Sequence, residues 1–297
     1  MIKRVASSIS CAFLAVMLLA SCGDDPAKEV TEDASPLMYE IANADGELEG
    51  WLFGTIHALP DGTSWRTAAI QSAIEDADLL VVEVASLEDE QALAATFAEL
   101  SASPDLPALT ARVTPSLRPQ LIDLVSRSQF SVSDFGSVET WAAAIMLSQV
   151  GTQGDSENGV DRAIIGDFDE RQILELEGAE DQLRIFDALP ESEQRDLLSG
   201  IVREVEQLDN DPARLRRAWL SGDEQVLIDA TQSGIMADAE LKNALLVDRN
   251  RDWTAQIETL LQSEPQPLVA VGAAHLVGPD GLPSMLADKG FVVRAIP

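Results

Sequence analysis

Residues 267–281 read PLVAVGAAHLVGPDG. Residues 268–271 form an uninterrupted apolar run of strand length, the pattern of a strand covered on both faces. The run passes through Gly272, Ala273 and Ala274 into His275. The chain has one other histidine, and it stands in the same setting: residues 51–62 read WLFGTIHALPDG, an apolar run that meets Gly54-x-x-His57. Glycine at the head of each turn permits a close backbone approach or a positive φ just before the imidazole. A third apolar run, 79–84 (LLVVEV), carries Glu83 near its carboxyl end. In open parallel sheets the carboxyl ends of the strands line the ligand crevice. The three segments are therefore expected to bring His57, Glu83 and His275 to one rim, as a metal or acid–base centre.

The rest of the chain supplies the sheet and its cover. Residues 36–41 and 49–56 are apolar runs separated by Asn43-Ala44-Asp45-Gly46, a hairpin signal. Residues 65–77 carry Ile70, Ala73, Ile74 and Ala77 at helical spacing. Strand, helix and strand over 49–84 predict a βαβ unit with parallel strands. Helices are expected over 86–101, 115–128, 138–150, 160–168, 181–189, 192–208 and 212–230. A long helix or two should cover 237–261, and another 281–290. Short strands are expected at 172–176 and 291–296. The expected architecture is α/β, a mixed or mostly parallel sheet formed from the N- and C-terminal parts of the chain, with a helical middle region.

The N-terminus reads as a targeting segment. Lys3 and Arg4 precede an apolar run, 11–20, too short to span a bilayer, and Leu19-Ala20-Ser21-Cys22 follows. Residues 1–21 are expected as a cleaved signal peptide, Cys22 as a lipid-bearing first residue, 22–36 as an acidic tether and 37–297 as the domain. An ordinary signal, cleaved after a small residue, is the alternative. Gly23 after the cysteine points to an outer-membrane lipoprotein facing the periplasm. Cys11 leaves with the signal and Cys22 is consumed by lipid, so thiolate ligands, cysteine nucleophiles and disulfides are excluded. Losing Lys3 and Arg4 takes the net charge from −31 to −33. Such a chain repels phosphate backbones, which excludes nucleic-acid partners. With 46% hydrophobic residues it has ample material for a core.

Two imidazoles and a carboxylate suit Mn, Fe, Co or Zn while leaving positions open for water and substrate. Without a metal, one histidine can serve as general base and the other as electrophile. Each residue also has a plainer reading. A histidine in an apolar segment is commonly structural. Glu83, if buried, needs a cation, a proton or a metal; on an edge strand it would face water. Arg249 and Asn250 form a solvated helix face or reach the rim. No G-x-S-x-G elbow, phosphate loop or dinucleotide glycine motif is present.

The stretches WLFGTIHALP (51–60), ADLLVVEV (77–84), NGVDRAI (158–164), LELEGAEDQL (174–183), LLVDRNRDW (245–253) and 269–293 resemble the TraB/GumN family. That family includes the Tiki proteins and is related to the ChaN-like and erythromycin-esterase-like folds. The family's paired Gly-x-x-His motifs fall on Gly54/His57 and Gly272/His275, its acidic residue on Glu83 and its Arg-Asn pair on Arg249 and Asn250. The resemblance implies an α/β fold with these residues at one site and, for the Tiki branch, a peptidase dependent on a divalent metal, Mn or Co preferred. Asp161 and Glu177 lie in the family's Gly-Val-Asp and Leu-Glu stretches, which implies a supporting role. The expected activity is a metal-dependent hydrolase of peptides in the bacterial envelope, with a peptide or small molecule as substrate. The alternative is a non-catalytic periplasmic protein that sequesters a peptide, a metal or haem.

Overall fold

The computed structural model describes residues 34–85, 90–151, 154–208, 211, 213–263 and 265–296. The signal and lipid-attachment readings of 1–21 and Cys22 lie outside the described residues, as does the start expected for the helix at 86.

The strands are β1 (Met38–Ala42), β2 (Leu48–Thr55), β3 (Leu79–Val82), β4 (Gln172–Glu175), β5 (Pro267–Gly272) and β6 (Val292–Ala295). They form one mixed sheet in the order β4-β3-β5-β2-β1-β6. β1 is antiparallel to β2 and β6, while β2, β5, β3 and β4 run parallel. The fold is α/β, built from both ends of the chain, with β4 added from the middle at one edge. The β1–β2 turn forms as its sequence requires. Asn43 Oδ1 accepts from the Asp45 and Glu47 N–H groups at 3.0 Å, and Gly46 takes φ +86°.

β2 and β3 are parallel, as a βαβ unit demands, but they are not neighbours. β5 lies between them, pairing Trp51 with Leu268 on one side and Leu79 with Pro267 on the other. Every residue of β5 is buried. A run this apolar gains most where both faces and both edges are covered.

The helices are α1 (Ala68–Asp76), α2 (Glu90–Leu100), α3 (Arg118–Arg127), α4 (Thr140–Ser148), α5 (Val160–Asp167), α6 (Ala179–Asp187), α7 (Glu191–Leu208), α8 (Arg214–Ser221), α9 (Glu224–Ala230), α10 (Ala239–Lys242), α11 (Asp248–Leu261) and α12 (Leu282–Asp288). α1 starts at Ala68, not at residue 65, because the Thr67 hydroxyl accepts from the Ile70 N–H at 3.2 Å and caps it. Trp65 instead stacks on Phe53, ring centroids 5.9 Å apart. α4 is buried on every side and packs on α7, so its apolar character all round marks a central helix rather than an amphipathic one. α10 and α11 are joined by a π-helical turn, Asn243–Val247, into a continuous helical run. Such a turn carries one residue more than an α-turn and re-aims the side chains after it. Arg249 and Asn250 come next, and both are buried. Among the described residues no helix is long and apolar enough to cross a membrane.

Candidate functional site

The carboxyl ends of β3, β5 and β2 lie side by side, with Thr55 opposite Gly272 and Val82 opposite Ala270. His57 follows β2 by two residues. Glu83 is the first residue after β3. His275 lies in the 3-10 turn Ala273–Leu276 that follows β5. A Cβ placed on Gly272 would lie 3.3 Å from Glu83 Oε1, 3.8 Å from His57 Nε2 and 3.8 Å from His275 Cδ2. The three side chains therefore converge on the bare face of Gly272. A Cβ on Gly54 would stand 3.2 Å from the Ala273 backbone. Both glycines serve close approach, and neither has a positive φ.

The two imidazoles are held differently. His57 Nδ1 is 2.6 Å from Asp161 Oδ2, and the Thr55 hydroxyl donates to Asp161 Oδ1 at 2.5 Å. Asp161 sits in the first turn of α5, where the helix dipole favours a carboxylate. Its placement depends on Gly159, where a Cβ would come within 2.5 Å of the His57 carbonyl oxygen, and on the Val160 N–H, which donates to Ile56 O at 2.9 Å. Burial pulls the His57 pKa down, but the charge and hydrogen bond of Asp161 outweigh it and hold the imidazole above its ordinary value. His57 Nε2 has no hydrogen bond among the described residues, and its side chain is 13% exposed. His275 is 1% exposed, and its Nδ1 is 2.5 Å from Asn250 Oδ1. The Asn250 amide is oriented by its NH2, which donates to Asp280 O at 2.7 Å. Nδ1 of His275 is thus the donor. Burial, with the neighbouring Arg249 charge, takes the His275 pKa down to about 3, so the ring is neutral.

Arg249 ties the rest together. Its Nε donates to Glu177 Oε1 at 2.8 Å, and its Nη2 to Glu177 Oε2 at 2.9 Å and to Glu83 Oε2 at 2.8 Å. Its Nη1 donates to Leu245 O at 3.2 Å and faces His275 Nε2 at 3.4 Å. All five guanidinium N–H groups are engaged, and the plane lies over Trp253, 4.6 Å from its centroid. Glu83 also accepts from the Gly272 N–H at 2.8 Å and from Gln182 Nε2 at 3.3 Å. Burial would raise the Glu83 pKa, but Arg249 above all holds it down at about 2. Burial raises that of Glu177 against the same guanidinium.

Every site residue singled out in the described part of the sequence thus lies in one connected group: His57, Glu83, Asp161, Glu177, Arg249, Asn250 and His275. Arg249 and Asn250 form no solvated face, and Glu83 follows an interior strand. Sequence reasoning missed Thr55, Gln182 and Gly159. Thr55 alone had a local signal, because it stands two residues before His57 on an extended segment and so shares its side.

The donor chemistry fits a divalent metal. Each imidazole gives its Nδ1–H to an acceptor; His57 keeps a bare Nε2 lone pair, as metal-binding histidines do, whereas Nε2 of His275 faces the Arg249 guanidinium. Two carboxylates, Glu83 and Glu177, share one guanidinium, and the third, Asp161, faces His57. In this arrangement the three donors do not close to within 4.8 Å of one another. The one set of three carboxylate or imidazole donors that does, among the described residues, is Glu193, Asp238 and Glu240.

The fold and the site together define an α/β protein in which parallel strands end in a buried centre of two histidines, an arginine and three carboxylates. The model of the TraB/PrgY/gumN family matches residues 37–295, and the chain belongs to that family. It is similar to the uncharacterized protein YbaP of Shigella flexneri, 25% identical over 246 residues, which are 81% of this chain and 89% of the relative. It is likewise similar to the uncharacterized protein YbaP of Escherichia coli K12, 25% identical over 240 residues, 79% of this chain and 86% of the relative. No solved structure matches it significantly.

Proposed function

We propose that the chain is a metal-dependent hydrolase of peptides, held to the bacterial envelope by a lipid on Cys22 and facing the periplasm. The observation that carries this reading is the convergence of His57, Glu83 and His275 on Gly272, with one imidazole nitrogen, His57 Nε2, left without a hydrogen bond among the described residues. His57, His275 and Glu83 would hold a divalent transition ion, Mn or Co by resemblance, with Zn or Fe also suited to this donor set. When bound, such an ion lowers the pKa of water and polarises a carbonyl. Asp161 and Asn250 each fix the Nδ1–H of one histidine, which leaves Nε2 of His57 free and turns that of His275 to Arg249. Arg249 keeps Glu83 ionised. Glu83 would serve as a ligand or, with both histidines on the metal, as the general base.

Peptide cleavage by the purified mature chain should fall by about 10²-fold or more in His57→Ala and in Glu83→Gln. Inductively coupled plasma analysis should find one transition ion per wild-type chain. Metal-free protein whose activity is unchanged in both variants would sink the proposal. The anchor has its own check: incorporation of labelled palmitate should be lost in Cys22→Ser, and labelling that persists would refute it.

A second reading is favoured by the same free nitrogen. A single unbonded imidazole Nε2 next to an otherwise saturated network is what a sequestering protein for a peptide, a metal or haem would offer. Stoichiometric binding that survives Glu83→Gln, without turnover, would select it.

A further inference from the structure

Asp161 presents its two oxygens to two different donors. Oδ2 faces His57 Nδ1 at 2.6 Å, and Oδ1 accepts from the Thr55 hydroxyl at 2.5 Å. Thr55 is fully buried, and Asp161 Oδ1 is the only acceptor its hydroxyl has among the described residues. The carboxylate is pinned by the backbone beneath it, since Gly159 and Val160 dock the start of α5 on the carbonyls of His57 and Ile56.

We propose that Thr55 is a positioning residue: its hydroxyl holds one oxygen of residue 161 as its own acceptor and turns the other atom of that side chain to the imidazole, so that only a carboxylate at 161 keeps the proton on His57 Nδ1 and leaves Nε2 as the bare, acceptor nitrogen. The inference rests on the reading of His57 as the residue that works through Nε2, and it concerns the proton on the ring rather than the reaction. A carboxylate has only acceptors, so His57 Nδ1 must be the donor and Nε2 carries the lone pair. Thr55 matters because it removes the freedom of whatever stands at position 161. In Asp161→Asn the threonine still needs an acceptor. It therefore holds the amide oxygen at the Oδ1 position and turns the NH2 group to His57 Nδ1. Nδ1 must then accept, the proton moves to Nε2, and the free nitrogen is lost. A wrong tautomer of this kind lowers activity about 10⁴-fold in a serine protease triad while leaving the geometry intact. In Asp161→Asn/Thr55→Val the isosteric valine makes no demand, the amide turns over, its oxygen accepts from Nδ1–H, and the bare Nε2 returns.

The chain has only two histidines, so its imidazole spectrum is simple to assign. The test is nitrogen-15 imidazole NMR on the tag-free mature chain, stripped of metal and held at alkaline pH where the ring is neutral. His57→Gln assigns the signals, and those of His275 report that each variant is folded. Wild-type His57 should be mainly Nδ1–H, Asp161→Asn mainly Nε2–H, and the double variant mainly Nδ1–H again. If Asp161→Asn keeps Nδ1–H, or if Thr55→Val fails to restore it with the His275 signals unchanged, the proposal is overturned. Peptide cleavage or ligand binding, measured on the same samples, should fall in the single variant and recover in the double. Tautomers that switch as expected while His57→Ala changes no activity or binding would uphold the role of Thr55 and discard the functional reading on which it was placed.

Discussion

Arg249→Met is expected to cost about 3–5 kcal/mol of folding stability, because it removes the one cation from between two buried carboxylates. Methionine replaces the stem of the arginine but none of the hydrogen bonds to Glu83, Glu177 and Leu245. The sign of the pH dependence follows. In the wild type the Glu83 pKa is depressed to about 2, so its contribution is present above the unfolded carboxylate value and is lost as pH falls toward 2. In the variant burial loses its main opponent, and the pKa values of both carboxyl groups rise, Glu83 still steadied by the Gly272 N–H. The folded variant then binds protons that the unfolded chain does not, so its stability falls as pH rises from mildly acidic to neutral. Urea unfolding at about pH 5 and about pH 8 should show a loss markedly larger at the higher pH. Equal losses at both would mean that the arginine is not what keeps these carboxylates charged.

Glu204→Gln should act the other way and stabilise the protein at neutral and alkaline pH. Glu204 lies on α7, its carboxylate pressed against Gly234, where a Cβ would come within 2.4 Å of Oε1. Its Oε2 is buried and has no hydrogen-bond partner among the described residues. Burial without a compensating charge pushes its pKa up to about 8. A raised carboxyl value means that the stability is full below the unfolded pKa and is lost as pH rises through about 8. The wild type should lose about 2–4 kcal/mol between about pH 5 and pH 8 from this group alone. A glutamine of the same shape carries no proton to lose. Thermal melts of the two proteins should coincide near pH 5 and diverge by several degrees at pH 8, the variant melting higher. Parallel pH profiles would show that Glu204 finds a partner or water in solution.

Local pattern revealed the parts of the centre and concealed their pairing. The apolar runs before His57 and His275 marked strand ends because a doubly covered strand has no polar position to spare, and Glu83 stood out as a charge in such a run. Which carboxylate meets which imidazole was not readable. Asp161 and His57 are 104 residues apart, and the contact depends on Gly159 letting a helix end touch a strand end. Nor could the sequence place β5 between β2 and β3, since strand order is decided by competition among apolar runs across the whole chain. Glu204 lies in REVEQ, which at helical spacing reads as a wetted face. Its carboxylate is nevertheless covered, because Gly234 arrives against it from a distant turn.

The position of β5 also sets a timetable. β2 and β3 are made first, and the strand that joins them leaves the ribosome long after both, later even than β4. Until Pro267–Gly272 inserts, β2 and β3 each expose an inner edge of unpaired N–H and C=O groups, an invitation to aggregation that chaperones exist to cover. His275 arrives with that same strand, and so does the Gly272 N–H that steadies Glu83. Closing the sheet and assembling the centre are therefore a single, late and long-range step, so a chain cut short before β5 has neither.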